Sequence, residues 1–285
     1  MSRTAVWKHI QGLNELGYEI KTVKGLGYQL KSIPDHLYPW ELNFSLQSKY
    51  AISHFHTIDS TNRYARQLDP PHIVVAEEQQ AGRGRMGRTW DSSPGGIYFS
   101  LVIYPNCAFE AIPALPLVVA VAITNIIRAY NMRAEIKWPN DVFVNGKKIA
   151  GILVELSGET DMPGKAIIGT GINVNQKIET YPQALQQNVT SMRDSLGYPL
   201  NRLIFFNKML EETTYLIENL NHRMSDILDT WREYSCTLGQ NIKIKQVGKT
   251  FYGIARDIDE KGALVLETEE GFQKIYSGDI VTLGN

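Results

Sequence analysis

Cysteine is scarce: Cys107 and Cys236 are the chain's two, far apart and in no CxxC pair. One bridge between them stays open, but reduced thiols in a cytoplasmic protein are the better reading. Charge of one sign is missing as well. Lys and Arg number 29 against 30 Asp and Glu, so no global field recruits nucleic acid or membrane and any such binding has to be local. Long apolar runs are missing too. The most apolar stretch, residues 111–127, carries Pro113 and Pro116 and falls short of the ~20 residues that span a bilayer. No signal peptide opens the chain, and no internal repeat or low-complexity tract interrupts it. What is left is 285 residues, 43% hydrophobic and 21% charged, an ordinary soluble composition with room for about two domains.

What is present in unusual density is glycine alternating with arginine. Residues 79–90 place Gly82, Gly84 and Gly87 among Arg83, Arg85 and Arg88. Glycine lets a backbone lie close to a ligand, and arginine brings a fork of donors that matches carboxylate and phosphate. So many cations repel one another, which predicts a loop that stays loose until an anion arrives. The spacing Gly82-x-Gly84-x-x-Gly87 also fits the dinucleotide fingerprint, and an apolar strand (residues 73–76) does precede it. That motif needs a helix to follow. Here Ser93-Pro94-Gly95-Gly96 and a strand (97–104) follow instead, so the dinucleotide reading fails.

Residues 1–31 read as a helix and a hairpin. Ser2 is a good N-cap, Val6, Ile10, Leu13 and Leu16 recur at helical spacing, and Gly17 stops the helix. Strands over 18–23 and 28–30 flank a glycine turn. Ser2, Arg3, Thr4, Trp7 and Lys8 face outward, and the segment carries five cations against two acids. A basic recognition helix followed by a wing is the second half of a winged helix-turn-helix, whose helix start contacts base edges. An amphipathic helix and hairpin with no such role fits the pattern equally well. No earlier helix braces Val6, Ile10 and Leu13 here, which weakens the DNA-binding reading.

After a proline-containing connection (33–40), a strand over 51–57 runs into Asp59-Ser60-Thr61-Asn62. These polar residues either cap a helix (62–68) or hydrogen-bond an uncharged polar ligand group such as a ureido or amide. His54-x-His56 is two same-face side chains rather than a metal site, with no acid or Cys nearby to complete a set. A buried helix (116–130) leads to Lys137-Trp138-Pro139-Asn140-Asp141. An Asn145-Gly146 hairpin then joins strands at 142–144 and 147–155. It carries Asp141 at one root and Lys148 past the turn, either around one pocket or as two solvated surface charges. A strand (165–168) runs into Gly169-Thr170-Gly171-Ile172-Asn173, whose glycines allow close approach by a ligand. Helices at 200–220 and 224–235 follow. Short strands at 241–245, 250–257, 263–267, 272–277 and 280–283 then form a small all-β barrel suited to capping or docking.

Gly82-Arg83-Gly84-Arg85-Met86-Gly87-Arg88, Lys137-Trp138-Pro139-Asn140-Asp141, Lys147-Lys148-Ile149-Ala150-Gly151 and Gly169-Thr170-Gly171-Ile172-Asn173 together resemble biotin protein ligase. With residues 2–30 the chain resembles the bacterial bifunctional kind that also represses the biotin operon. The resemblance implies an α+β (α/β) fold in three parts. These are a truncated winged helix-turn-helix (1–35), a mixed-sheet ligase domain with helices on one face (36–235) and an SH3-like β-barrel (236–285). It implies activation of biotin by ATP, with Mg2+, to biotinyl-5′-adenylate, then transfer to a lysine of the biotin carboxyl carrier protein of acetyl-CoA carboxylase. It also implies a homodimer on adenylate binding and operator DNA as a further partner. Lipoate or octanoate ligation on the same fold, and a repressor without ligase activity, are the alternatives.

Carried over by the same resemblance, the catalytic residues are Lys148, Arg85 and Asp141. Lys148 lies near the carboxylate and α-phosphate, and Asp141 orients the acceptor lysine. Biotin falls to Ser60, Thr61, Asn62, Gln79, Arg83, Gly84, Arg85, Lys148, Gly151, Gly169 and Gly171. The nucleotide falls to Arg85, Arg88, Trp90, Lys137, Asn140, Lys148 and Asn173, and DNA to Ser2, Arg3, Thr4, Trp7 and Lys8. No metal ligand is named. Met86 stands where the loop of a relative has another arginine. Val189-Thr190 occupies a region where bacterial relatives cover adenine with an aromatic, which predicts a different or looser grip on the base.

Overall fold

The computed structural model describes residues 1–105, 109–157, 164–246 and 248–283; Cys107 lies outside them, and Cys236 is a free thiol. The chain divides into two compact units, Met1–His36 and Leu37–Asn285.

In the first unit, α1 (Arg3–Glu15) starts where Ser2 Oγ accepts from Ala5 N and ends before Gly17, whose φ of 93° only glycine adopts freely. Strands β1 (Glu19–Val23) and β2 (Gly27–Ser32) pair antiparallel, and Asn14 Oδ1 accepts from Ile20 N to tie helix to hairpin. Ser2, Arg3, Thr4, Trp7 and Lys8 are all exposed, while Val6, Ile10 and Leu13 are only half-buried.

The second unit opens with α2 (Phe44–Lys49), a helix the sequence reading did not expect. It continues through β3 (Ala51–Ile58), α3 (Thr61–Ala65), β4 (His72–Gln79), β5 (Ile97–Ile103), α4 (Leu115–Arg128), β6 (Ala134–Lys137), β7 (Asp141–Val144), β8 (Lys147–Ser157) and β9 (Lys165–Ile172). Helix α3 is shorter than expected and ends at Ala65. Next come α5 (Gln183–Gln186), α6 (Met192–Leu196), α7 (Arg202–Glu218) and α8 (Leu220–Tyr234). Among the described residues β3 to β9 form a seven-stranded sheet in the order β3-β4-β5-β9-β8-β7-β6, with β3 and β4 parallel and the rest antiparallel.

Side chains alternate across a strand, so each strand serves two faces. One face is apolar. Ile73, Val75, Phe99, Leu101, Ile168 and Ile152 join one core with the long helices α4, α7 and α8, and the Phe99 and Phe206 rings meet edge-on at 5.4 Å. On the other face Val74, Val102 and Ile167 carry a small separate cluster under α3. The sheet is therefore mixed with its long helices on one face, as expected, and the short helix α3 covers part of the other. The run Ala111–Arg128 is apolar and long enough to cross a bilayer by composition, but two-thirds of it is buried in this core.

Strands β10 (Asn241–Gln246), β11 (Lys249–Ile258), β12 (Leu264–Thr268), β13 (Gly271–Ile275) and β14 (Asp279–Thr282) form an antiparallel sheet in the order β13-β12-β11-β10-β14. It is pinned to the seven-stranded sheet through Trp138. The Trp138 amide donates to Thr237 Oγ1 (2.9 Å), and the indole Nε1 donates to the Gly262 carbonyl (3.1 Å).

Candidate active site

The second face of the sheet holds a cavity of about 190 Å³. Its floor is glycine. In register, Gly151 faces Gly171, and Gly169 faces both Leu153 and Ser100. These glycines line the cavity, and the protein's own Trp90 and Asn62 side chains lie against them as well. A Cβ on Gly171 would stand 2.4 Å from Trp90 Nε1, one on Gly151 2.9 Å from the same indole, and one on Gly169 2.1 Å from Asn62 Oδ1. The glycines are there so that Trp90 and Asn62 can lie flat on the sheet and form the wall the cavity sees.

At one end the lining is polar and neutral. Ser60 caps α3, its Oγ accepting from Arg63 N. Thr61 donates through both its amide (2.9 Å) and its hydroxyl (3.1 Å) to Gln79 Oε1, and Gln79 Nε2 donates to Ser92 Oγ (2.8 Å). Asn62 Nδ2 donates to Glu155 Oε2 (3.0 Å), and Ser100 Oγ lies 2.6 Å from Asn62 Oδ1. Buried polar atoms this well connected hold one geometry. Ser60 caps α3 and lines the cavity together with Thr61, Asn62 and Gln79.

At the other end the lining is cationic. The loop turns at Met86 (φ 55°) and Gly87 (φ 74°), closed by Gly84 N donating to Arg88 O (2.8 Å) and Trp90 N donating to Gly82 O (2.9 Å). In the structure the loop forms a folded turn in which two of its three arginines have protein partners. Arg85 Nη1 donates to Asn140 Oδ1 (2.9 Å), and Arg88 Nη2 pairs with Asp279 Oδ1. Burial pulls the Arg85 guanidinium below its ordinary value, opposed by the Asp279 and Asp141 carboxylates. It keeps its charge at any working pH. Arg83 lines the mouth and is exposed.

The hairpin reading is settled in favour of one pocket. Asn145 (φ 51°) and Gly146 (φ 73°) make the tight turn. Lys148 Nζ then sits 2.7 Å from Asp141 Oδ1, with both side chains about three-quarters covered, and 5.1 Å from the Trp90 ring centre. Lys137 lines the cavity beside the Phe143 ring. Asn140 is held by its own amide donating to Ile152 O (2.7 Å). Asn173 lies off the cavity lining. Its side-chain amide donates to Thr190 O (3.0 Å), next to the bridge between Lys148 and Val189. His54 and His56 do share a face, and His54 Nε2 is spent on Glu77 Oε1 (3.0 Å).

Among the contributors that were missed are Asp279 and Ile280 from the C-terminal sheet, Thr89, Leu153 and Thr170 in the lining, and Ser100 beneath Asn62. Asp279 is 191 positions from Arg88, so no local signal could have joined them. Ser100 was legible in principle as a lone hydroxyl in an apolar strand.

Residues 51–173 match the family model "Biotin/lipoate A/B protein ligase family", residues 237–282 "Biotin protein ligase C terminal domain", and residues 1–29 "HTH domain". The chain is 39% identical to the "Bifunctional ligase/repressor BirA" of Bacillus spizizenii over 98% of its own length and 89% of that protein. It is 32% identical to the "Biotin--[acetyl-CoA-carboxylase] ligase" of Paracoccus denitrificans over 78% of its own length and 96% of that protein. A solved structure, "Biotin protein ligase from Aquifex aeolicus in complex with biotin and ATP", superposes with a TM-score of 0.73 at 28% identity, over 82% of this chain and 99% of that one.

Proposed function

We propose, for a chain that belongs to the biotin protein ligase family, that the cavity activates biotin with ATP and passes it to a carrier lysine. The observation that carries this reading is the polarity of the cavity. Its neutral end of Thr61, Asn62 and Gln79 suits the ureido ring of biotin. Its cationic end of Arg85, Arg88 and Lys148 suits a carboxylate meeting a phosphate.

In the first step an oxygen of the biotin carboxylate attacks the α-phosphorus of ATP. A P–O bond forms, the bond to the β-phosphate oxygen breaks, and pyrophosphate leaves. Two anions must be brought together while charge builds on phosphorus, so fixed cations in a water-poor site are worth most there. Lys148 and Arg85 fill that role, with Arg83, Gly84, Gly151, Gly169 and Gly171 shaping the biotin end. Arg88, Trp90, Lys137 and Asn140 attend the nucleotide, with Asn173 acting from off the lining through the 189–190 segment beside Lys148.

In the second step the amine of the carrier lysine attacks the anhydride carbonyl and AMP leaves. Asp141 accepts the ammonium's proton or orients the amine, a role supported by the ammonium of Lys148 already seated beside it. The closed loop keeps water from the anhydride.

Among the described residues no group of three or more His, Cys, Asp or Glu could hold a metal. The two cavity carboxylates, Asp141 and Asp279, are each paired with a cation. The residues present do not build a resident metal site, and Mg2+ is proposed to arrive on the phosphates of ATP.

The domains divide at 35/36 and 235/236. The carrier is that of acetyl-CoA carboxylase, met in the cytoplasm. The first unit contacts operator DNA through Ser2, Arg3, Thr4, Trp7 and Lys8, with a homodimer forming on adenylate binding; a gel shift with and without adenylate tests this.

The ligase reading is tested by biotin-dependent exchange of labelled pyrophosphate into ATP, with lipoate as competitor. Exchange that needs biotin and ignores lipoate supports it. Exchange driven by lipoate, or none at all, sinks it.

A further inference from the structure

The Gly–Arg loop is tied down at two points that belong to different parts of the second unit. Arg85 holds it to the ligase sheet through Asn140, and Arg88 holds it to the barrel through Asp279. The barrel end is well prepared for this. Asp279 opens β14 and is paired in register with Lys245, so its backbone is fixed by the sheet. Gly278 before it takes a φ of 150°, and a Cβ there would stand 2.5 Å from Ile244 Cγ2, so only glycine lets the strand start this close in. The loop end is prepared as well. The turn at Met86 and Gly87 folds Arg88 back so that its Nε donates to Arg85 O (3.4 Å). Arg88 and Asp279 both line the cavity, with side chains 60% and 32% exposed.

An ion pair so open to solvent contributes little to fold stability and is weakened further by salt. Weakness is useful in a closure that must open for substrates and products. From this geometry we infer that Asp279 is a positioning residue, a latch on the barrel that holds the Gly–Arg loop shut through Arg88 and sets how long the activated intermediate stays in the cavity. The inference rests on the ligase reading for the identity of the intermediate, but the latch itself is a property of the loop and the barrel. It also gives the barrel a role in retention, although the barrel offers no chemistry of its own.

The test compares the full-length wild type with Asp279→Asn, which removes the charge and keeps the shape. Adenylate is formed from biotin and labelled ATP, and its escape into the filtrate is timed. In parallel, trypsin cleavage after Arg83, Arg85 and Arg88 is timed with no ligand added. Losing an exposed pair predicts escape and cleavage about fivefold faster in Asp279→Asn. Raising salt should accelerate ligand-free cleavage of the wild type more than that of Asp279→Asn. The exchanged pair, Arg88→Asp with Asp279→Arg, should be cut more slowly after Arg83 and Arg85, the two sites it keeps, than Arg88→Asp alone, a rescue that a merely structural role would not give. Equal cleavage rates in wild type and Asp279→Asn, or equal salt dependence, overturn the latch. A wild type that makes no adenylate defeats the ligase reading instead, and the cleavage rates still decide the latch.

Discussion

The two faces of the central sheet are built from the same strands and obey opposite rules. On β9, Ile168 enters the helical core while its neighbours Gly169 and Gly171 floor the cavity. On β5, Leu101 is core and Ser100 supports Asn62. The helical face needs volume, and it is filled by Phe99, Phe206 and their neighbours. The cavity face needs the opposite, a sheet stripped of side chains so that Trp90 and Asn62 can be laid on it from outside. Period-two alternation lets one stretch of chain meet both demands, so stability and ligand binding can be perturbed at adjacent residues.

The largest effect belongs to the cavity face. Lys148→Ala should lower adenylate formation by about three orders of magnitude, in line with loss of a charge-stabilising group in a protected site, with the melting temperature nearly unchanged. Normal exchange activity in that variant would erase the functional half of the comparison.

One charged residue breaks the rule on the helical face and gives a pH signature. Burial pushes the Glu77 carboxyl up, but the hydrogen bond from His54, the charge of Arg202 (2.8 Å) and the Leu37 amide (2.8 Å) outweigh it, and its pKa falls from 4.5 to about 2. Because the folded value is the lower one, its stabilisation is complete above about pH 4.5 and drains away as pH falls through 2. Linkage puts it at roughly 3 kcal/mol. Denaturant titrations of wild type and Glu77→Gln should therefore differ at pH 7 and converge toward pH 2.

Smaller effects sharpen the contrast between neighbours. Gly169→Ala puts a methyl against Asn62 and should weaken biotin binding at least tenfold, about 1.4 kcal/mol, as read by calorimetric titration. Ile168→Val, one residue away, should cost about 1 kcal/mol of stability and leave biotin affinity where it was. Equal effects on binding from both would mean that the faces are not independent.

How much of this was legible follows the reach of each interaction. The Ser2 and Ser60 caps, the Asn145-Gly146 turn and the Gly–Arg loop are fixed by residues a few positions apart, and each could be read in the sequence. The glycines at 151, 169 and 171 could be read as places of close approach, but not what approaches. Trp90 and Asn62 reach them only once three strands have paired. Asp279 was invisible for the same reason, since its contact with Arg88 exists only after the C-terminal sheet docks on Trp138. Helix α2 escaped because its six residues, Phe44–Lys49, are too few for a periodic signal, and the length of α3 was overstated for want of a stop signal at Ala65.

The most direct measurement is a crystal structure with biotinyl-adenylate bound. The ureido ring should lie against Thr61, Asn62 and Gln79, with Lys148 Nζ and the Arg85 guanidinium both on the phosphoryl oxygens above Trp90. A ligand seated elsewhere, or a phosphorus atom remote from Lys148 with the Gly–Arg loop turned out to solvent, would contradict the account.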